Sequence, residues 1–314
     1  MPVFEFVAES EQQENISILN RSSVDRCWRL TPVKATATLL IDCPDRKGLV
    51  AQVSGLLYQE GANILHADQH RDQEAGLFFM RVEWALDGFD VEHFRSRFAL
   101  LAAELDMRWQ MAVSTRILRV AIFASQHLHC LQDLLYRVHS GELGCVVPLV
   151  ISNHEHGRAL TEFYGVRFCL IPVLSSNKEE AEEQQLKLLE EHDVDLIVLA
   201  RYMQILSPSF VARYPNRIIN VHHSFLPAFV GARPYQQAFC RGVKLIGATS
   251  HYVNESLDEG PIIEQDVLRV SHRDQVSDLI EKGRDLERVV LSRAVGWHLD
   301  HRILSYGTKT VVFD

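Results

Sequence analysis

The regular alternation of short apolar runs with helical segments over residues 116–314 is the feature that most constrains the fold. The apolar runs predict strands at 117–124, 146–152, 166–173, 196–200, 217–221 and 244–253, with a last strand at 308–313. Helical stretches are predicted at 128–139, 178–191 and 275–301. This alternation predicts an α/β domain with a mostly parallel sheet covered by helices. Ligands bind such sheets beyond the carboxyl ends of the strands.

Residues 34–113 carry a different pattern and predict a separate domain. Strands are predicted at 34–42, from 62, at 76–84 and at 108–113, and helices at 49–60 and 90–105. The order β-α-β-β-α-β is that of a ferredoxin-like α+β domain. Residues 1–33 are polar and irregular, so we expect a poorly ordered leader there.

Composition and charge exclude several classes of protein. The chain has 314 residues, of which 47% are apolar and 23% charged, so we expect a globular protein of two domains. A net charge of −9 argues against a nucleic-acid binder and gives no attraction to an anionic membrane. The six cysteines lack C-x-x-C spacing, so we expect reduced thiols. With no signal pattern and no transmembrane run, a cytoplasmic protein is the expectation.

Three polar residues combine the groups that carbonyl chemistry needs. Asn220 and His222 end one predicted strand two residues apart, so both side chains lie on the same side of it. Asp258 follows 36 residues after the histidine. An amide can donate to a developing oxyanion, an imidazole can move a proton, and a carboxylate can orient the imidazole. The alternative is that they are turn residues bonded only to backbone groups.

The context of these residues resembles the 10-formyltetrahydrofolate-dependent formyltransferase family. Residues 220–227 match the family motif Asn-x-His-x-Ser-x-Leu-Pro at every fixed position. Residues 248–253 and 257–263 are similar to the family's second block, with its aspartate at Asp258. The resemblance covers 116–314 and implies a Rossmann-like formyltransferase sheet covered by helices.

The same resemblance implies the roles of the site residues. It makes Asn220, His222 and Asp258 the catalytic residues, with no metal and no cofactor besides the folate substrate. It also implies a folate pocket, formed by Met203, Gln204, Ile205, Leu206 and Val253. Taken alone, residues 203–206 predict only a strand-to-helix connection with Met and Leu in the core.

The turn at 45–49, together with residues 61–64, resembles the ACT regulatory domain. That resemblance implies a homo-oligomer, a dimer or a tetramer, in which paired domains bind a small amino acid. The implied effector is glycine or methionine, and the candidate contacts are Gly48, Leu49 and Asn63. The alternative is that the domain at 34–113 only dimerises the protein.

The loop at 124–130 bears on which acceptor receives the formyl group. Glycinamide-ribonucleotide formyltransferases place a glycine-rich loop there, and its backbone N–H groups hold the substrate phosphate. The loop here contains no glycine, which argues against a phosphate-bearing acceptor. The Ser-x-x-x-His-Cys-Leu pattern at 125–131 and the stretch 229–234 instead resemble the deformylases of this family.

The resemblance therefore implies hydrolysis of 10-formyltetrahydrofolate to formate and tetrahydrofolate. Such a reaction supplies formate for purine synthesis and balances the one-carbon pool. Two alternatives remain open from the sequence. One is a formyltransferase that acts on an amine, and the other is an amino-acid sensor that has lost catalysis.

Overall fold

The computed structural model describes residues 35–228 and 234–314. The predicted leader at 1–33 and most of the 229–234 stretch lie outside the described residues. Thr36–Asp314 form one unit by their internal contacts.

The N-terminal part of this unit is an antiparallel sheet with two helices on one face. Its strands follow the order β2-β3-β1-β4, and the predicted β-α-β-β-α-β sequence of elements is confirmed. The elements are β1 (Thr36–Pro44), α1 (Leu49–Gln59), β2 (Asn63–Asp72), β3 (Leu77–Ala85), α2 (Val91–Glu104) and β4 (Arg108–Val113). Gly48 precedes α1 with φ 92°, a left-handed conformation that favours glycine.

Aromatic packing fixes α2 on this sheet. Phe94 and Phe98 lie one turn apart on the helix and are fully buried, Phe94 against Trp84 of β3 and Phe98 against Trp109 of β4. The Trp84 and Phe94 rings meet edge to face with their centroids 5.3 Å apart, a favourable geometry for aromatic pairs. Truncation of one of these rings would leave a large cavity in the core.

The other face of the same sheet is covered by a hairpin from the C-terminus. Its strands are β13 (Ile303–Tyr306) and β14 (Lys309–Val312). Leu304 and Phe313 pack on Leu40 and Phe79, so the central strands of the sheet are buried on both faces. We predicted one strand at 308–313, and the structure instead has a hairpin with its turn at Gly307, where φ is 54°.

The α/β part is an eight-stranded sheet, mostly parallel as predicted. Its order is β12-β11-β10-β9-β5-β7-β8, with β6 paired to β5. The parallel strands are β5 (Leu118–Ala124), β6 (Cys145–Val146), β7 (Leu149–Ser152), β8 (Arg167–Leu170), β9 (Leu196–Ala200) and β10 (Ile218–His222). Two strands continue the sheet in antiparallel fashion, β11 (Leu245–Tyr252) and β12 (Ile262–Arg269).

Helices cover both faces of this sheet, and apolar clusters fill the space on each side. They are α3 (His129–His139), α4 (Arg158–Phe163), α5 (Lys178–Glu191), α6 (Pro208–Arg213), α7 (Pro234–Arg241) and α8 (Val276–Leu299). A capping box between Gln275 and Asp278 starts α8. Among the described residues, no helix is long and apolar enough to cross a membrane.

One predicted strand is divided in the structure, and one strand and three short helices were not predicted. The predicted strand at 146–152 is divided into β6 and β7 at Pro148, which has no N–H for a ladder bond. Strand β12 was not predicted, because its sequence mixes charged and apolar residues at the sheet edge. The short helices α4, α6 and α7 were not predicted either, since six to eight residues give too little periodicity.

One contact between α8 and β11 makes stability depend on pH. Nδ1 of His298 lies 2.7 Å from the Tyr252 hydroxyl, and burial, aided by the charges of His301 and Arg217, lowers the pKa of His298 to about 4. The folded protein therefore favours the neutral ring. Its contribution to stability is fully present above the ordinary pKa of 6.5 and is lost as pH falls toward 4.

We predict that His298→Gln reduces the acid sensitivity of the fold. The wild-type protein should lose about 2–2.5 kcal/mol of unfolding free energy from this residue between pH 7 and pH 4.5. Glutamine can accept from Tyr252 without titrating, so the variant should lose less stability over that range. Denaturant unfolding at both pH values measures the difference. An identical acid-induced loss in both proteins would show that His298 does not carry this effect.

Candidate active site

The strand order places a cleft at the carboxyl end of the sheet. From β5 the chain continues outward to β7 and β8, then crosses back to β9 on the other side of β5. The connections that follow β5 and β9 therefore run in opposite directions. Open α/β sheets bind ligands at the point where the connections from neighbouring strands diverge in this way. A cavity of about 720 Å³ lies there, lined by the segments that follow β5, β9, β10 and β11 and by residues of α8.

Asn220, His222 and Asp258 all line this cavity, so the structure brings the three predicted residues together. Nδ1 of His222 lies 3.1 Å from a carboxylate oxygen of Asp258. His222 Nε2 is buried, with no hydrogen-bond partner among the described residues. The ring is thus held through one nitrogen, and the other nitrogen is available to a bound molecule.

His251 joins the group through the pairing of β10 with β11. Asn220 is the register partner of His251, whose Nε2 lies 3.2 Å from the Asn220 amide nitrogen and 3.7 Å from Asp258. His251 Nδ1 lies 2.9 Å from the Tyr252 carbonyl, which can only accept, so this nitrogen carries a proton. In the neutral ring Nε2 then accepts from one N–H of Asn220, which fixes the amide at the cavity wall.

Asp258 is ionised in this setting. Burial opposes its charge, but the hydrogen bond from His222 and the nearby His251 ring outweigh burial and hold its pKa well below the usual range. Its backbone has φ 58°, a conformation that Asp tolerates better than most residues. The loop between β11 and β12 therefore presents a charged carboxylate to the imidazole of His222.

Gly260 allows this loop to pass close to the sheet. A Cβ at this position would lie 1.7 Å from the Tyr252 carbonyl oxygen. The Tyr252 N–H donates to the Pro261 carbonyl at 2.9 Å, which closes the loop at its base. The close approach of this loop to Tyr252 thus explains the glycine of the Gly-Pro pair after Asp258.

The rest of the 220–227 motif holds the turn after β10. Thr249 Oγ1 donates to the Ser224 carbonyl at 2.8 Å and accepts from the Leu226 N–H at 3.0 Å. Ser224 Oγ donates to the Ala228 carbonyl at 2.7 Å. These bonds anchor the motif to β11, the strand that carries His251.

The predicted folate-binding residues belong to two segments that line the cavity. Met203, Gln204, Ile205, Leu206 and Val253 all line it. Met203 and Ile205 are 57% and 60% exposed, and Leu257 on the opposite loop is 57% exposed. Apolar side chains exposed on both sides of a cleft suit a flat aromatic ring.

The opposite side of the cavity is built around a buried acid. Glu287 of α8 is 1% exposed. One of its oxygens accepts from the Tyr235 hydroxyl and the other from His129 Nε2, both at 2.7 Å. Burial opposes ionisation, but the hydrogen bond from His129 and the charge of Arg201 lower the pKa of Glu287. The loop from Ser125 to Leu128 that borders this side contains no glycine.

Comparison with known proteins matches both parts of the chain to known domain families. The formyl transferase family model matches residues 118–295, and the ACT domain model matches residues 37–83. The formyltetrahydrofolate deformylase of Synechocystis sp. is 54% identical over 88% of this chain and 98% of its own length. The chain belongs to the formyltetrahydrofolate deformylase family.

Solved structures agree with this assignment. A formyltetrahydrofolate deformylase from Pseudomonas syringae pv. tomato superposes with a TM-score of 0.88 at 45% identity, over 97% of this chain and 100% of that one. A glycinamide ribonucleotide transformylase from Symbiobacterium toebii reaches a TM-score of 0.60 at 29% identity, over 63% of this chain and 95% of that one. The likeness to the transformylase thus leaves about a third of this chain unmatched, whereas the likeness to the deformylase spans nearly all of it.

Three residues of this deformylase-family cavity escaped the sequence analysis. His251 lies inside the second motif block, but its contact with Asn220 depends on strand register. Glu287 stands in a charged helical stretch that is typical of a solvated face. Arg201 directly follows β9 and pairs with Glu287 at 3.4 Å. Contacts between residues that are far apart in the sequence bring these three together. The local sequence around each residue gives no sign of those contacts.

One cluster among the described residues has the composition of a metal site. The ligand atoms of His129, Cys130 and Glu287 lie within 4.8 Å of one another. However, burial raises the pKa of Cys130 far above its ordinary value, and a protonated thiol is a poor ligand. His129 and Glu287 already satisfy each other, and the Arg201 cation lies beside them. This donor set fits a hydrogen-bond network better than a cation site.

The candidate effector residues of the ACT domain fall into two places. Gly48 and Leu49 line a shallow cavity of about 450 Å³ with Asp45, Ser54 and Phe78. Asn63 begins β2, beyond the far end of the 11-residue helix α1, which spans roughly 16 Å. Within one chain, therefore, the structure does not bring Asn63 to Gly48.

We predict that Gly260→Ala destabilises the protein and displaces Asp258. The added methyl group cannot fit against the Tyr252 carbonyl, and overpacking of this kind costs about 1–3 kcal/mol. Denaturant unfolding measures the loss, and the NMR signal of the His222 Nδ1 proton reports the contact with Asp258. Gly144→Ala, at a position with open space around it, is the control and should change neither. An unchanged His222 signal in Gly260→Ala would contradict this account of the loop.

Proposed function

We propose that this protein hydrolyses 10-formyltetrahydrofolate to formate and tetrahydrofolate. The observation that carries the proposal is the His222–Asp258 pair beside Asn220, in a cavity whose other wall is apolar. The full-length likeness to proteins named formyltetrahydrofolate deformylase supports it. The folate ring would lie between the 203–206 segment and the loop that carries Val253 and Leu257, with its formyl group toward Asn220.

In the first step a water molecule attacks the formyl carbon. Nε2 of His222 accepts a proton from the water, while the carbonyl π electrons move to oxygen and form a tetrahedral intermediate. The Asn220 amide donates to this oxyanion, and His251 holds the amide in place. Asp258 stabilises the imidazolium, because an ionised carboxylate at 3.1 Å favours the charged ring.

In the second step the intermediate collapses and the C–N10 bond breaks. His222 returns its proton to N10, so that tetrahydrofolate leaves as a neutral amine. The new C–O bond remains in the product, and formic acid loses its proton to water. The balance is one water consumed, with formate, a proton and tetrahydrofolate released.

Water rather than an amine is the proposed acceptor. An acceptor amine with a phosphate group would need backbone donors near 125–128, where the chain offers no glycine. On the same side, Glu287 is already bonded to Tyr235 and His129 and paired with Arg201, which leaves little acceptor capacity for an incoming ammonium group. The formate released would serve purine synthesis and balance the one-carbon pool.

We predict that Asp258→Asn lowers kcat for formate release by about 10²–10⁴-fold with little change in KM. The asparagine keeps the size of the side chain but removes the charge that stabilises the imidazolium. Asn220→Ala should lower kcat by about 10²–10³-fold, because it removes the oxyanion donor. Formate release from 10-formyltetrahydrofolate, without an amine acceptor, is the measurement.

The matched control is Asp285→Asn, a carboxylate on the exposed side of α8 that pairs with Arg288. It should keep full activity. Full activity in Asp258→Asn as well would refute the catalytic assignment. Turnover that appears only when an amine is added would favour transfer, and binding of glycine or methionine without turnover would favour a sensor.

We also propose that the ACT domain, with boundaries at 34 and 113, pairs with that of a second chain and binds glycine or methionine. Strand β2 supports pairing, because it lies at the sheet edge and nearly all of its residues are exposed. Sheet edges of this kind commonly pair with a second strand. Since Gly48 and Asn63 lie at opposite ends of α1, a site that uses both residues requires a dimer or a tetramer.

We predict that Gly48→Ala weakens the response of hydrolysis to glycine or methionine and leaves the basal rate unchanged. Alanine is strained at φ 92°, so the turn before α1 must shift. Rates with and without each amino acid measure the response. Gly88→Ala, at φ 74° on another turn of the same domain, is the control for strain alone. If neither amino acid changes the wild-type rate, the domain serves assembly only.

A further inference from the structure

The guanidinium of Arg201 is a buried cation with unused donors. Its side chain is 10% exposed, and it lines the cavity. Nε and Nη1 are both buried and have no hydrogen-bond partner among the described residues. Glu287 lies 3.4 Å from Nε, close enough for charge neutralisation but without hydrogen-bond geometry. Buried polar groups without partners are uncommon in native proteins and call for an explanation.

The backbone of Arg201 is also unusual. Six non-glycine residues of the described chain have positive φ, and the five others are Asp, Asn or His, which tolerate that conformation best. Arg201 has φ 61° and directly follows β9, at the carboxyl end of the central strands. Strained residues of this kind cluster at ligand sites, where the surrounding structure holds them in place.

The surroundings of Glu287 explain why the donors of Arg201 stay free. Tyr235 and His129 already occupy both carboxylate oxygens, so Glu287 balances the charge of Arg201 without taking its N–H groups. Tyr235 reaches Glu287 only because Gly283 has no side chain. A Cβ there would lie 2.0 Å from the Tyr235 hydroxyl oxygen. A glycine in the middle of a long helix is otherwise unfavourable.

Arg201 also lies close to the reacting centre. After burial, the charge of Arg201 is the largest influence that lowers the pKa of His223, to about 3. The His223 and His222 rings have centroids 5.1 Å apart. Arg201, His222 and His223 all line the same cavity.

We propose that Arg201 binds the formate product, an inference that rests on the proposed hydrolysis. Each unpartnered N–H of this guanidinium is a charged donor that suits a carboxylate oxygen. The formyl group of the substrate is neutral, and a carboxylate forms only after the C–N10 bond breaks. Arg201 thus receives an anion that exists only on the product side, in a protein whose net charge of −9 otherwise repels it. Formate should act as a product inhibitor through this residue.

The test is titration of the full-length protein, without folate, with ¹³C-formate observed by NMR line broadening. Arg201→Gln should weaken formate binding by roughly ten- to a hundredfold, because it removes a charged hydrogen-bond donor. Arg201→Lys, which keeps the charge but loses the planar guanidinium donors, should fall between that variant and the wild type. Arg288→Gln is the control, since it removes an exposed cation one residue after Glu287, and it should bind formate like the wild type.

A second variant keeps the proposal testable if the first one misfolds. If Arg201→Gln does not fold, the double variant Arg201→Gln with Glu287→Gln removes both charges together and should show the same loss of formate binding. Wild-type affinity in either variant, or no formate binding by the wild type, would overturn the proposal.

Kinetic measurements distinguish formate binding at Arg201 from binding of the folate's own carboxylates. They also distinguish failure of this proposal from failure of the proposed hydrolysis. A rise in substrate KM for Arg201→Gln with unchanged formate affinity would mean that Arg201 holds the glutamate tail of the folate, and this would also overturn the proposal. If formate binds through Arg201 but the wild type releases none from 10-formyltetrahydrofolate, the hydrolysis proposal fails while the carboxylate subsite stands.

Discussion

The ionised carboxylate of Asp258 between two imidazoles is the interaction on which the candidate site depends. Burial alone would raise the pKa of this acid, and the contacts with His222 and His251 reverse that effect. Those contacts need the β10–β11 register that pairs Asn220 with His251, and they need the loop that Gly260 lets approach the sheet. A shift of one residue in that register would turn His251 to the other face.

The cavity has two walls that differ in their chemistry. The wall at Met203, Ile205 and Leu257 offers exposed apolar surface, which suits a flat ring. The wall at Glu287 is polar. Glu287 is bonded to Tyr235 and His129, whereas Arg201 has two buried nitrogens without a partner among the described residues. A partly satisfied buried network is costly in a folded protein, so its persistence beside His222 is best explained by a ligand.

Much of the fold was predictable from the sequence, because parallel strands and amphipathic helices leave periodic patterns. The ferredoxin-like domain and the central strands β5, β9 and β10 were predicted within a few residues. The edge strand β12 and the C-terminal hairpin were not, since short mixed segments owe their structure to neighbouring strands. The motif residues Asn220, His222 and Asp258 were identified by resemblance, and the structure places them in one cavity. The partners from distant elements, His251, Glu287 and Arg201, could not be predicted, because burial and register decide their roles.

The most direct test of the central claim is a single turnover of 10-formyltetrahydrofolate in water enriched in oxygen-18, with no amine acceptor present. If water bound beside His222 is the nucleophile, each formate released should carry one oxygen from the solvent, and tetrahydrofolate should appear in equal amount. Release of formate without solvent oxygen would contradict attack by water. No release until an amine is added would contradict hydrolysis itself and make the cavity a site of formyl transfer.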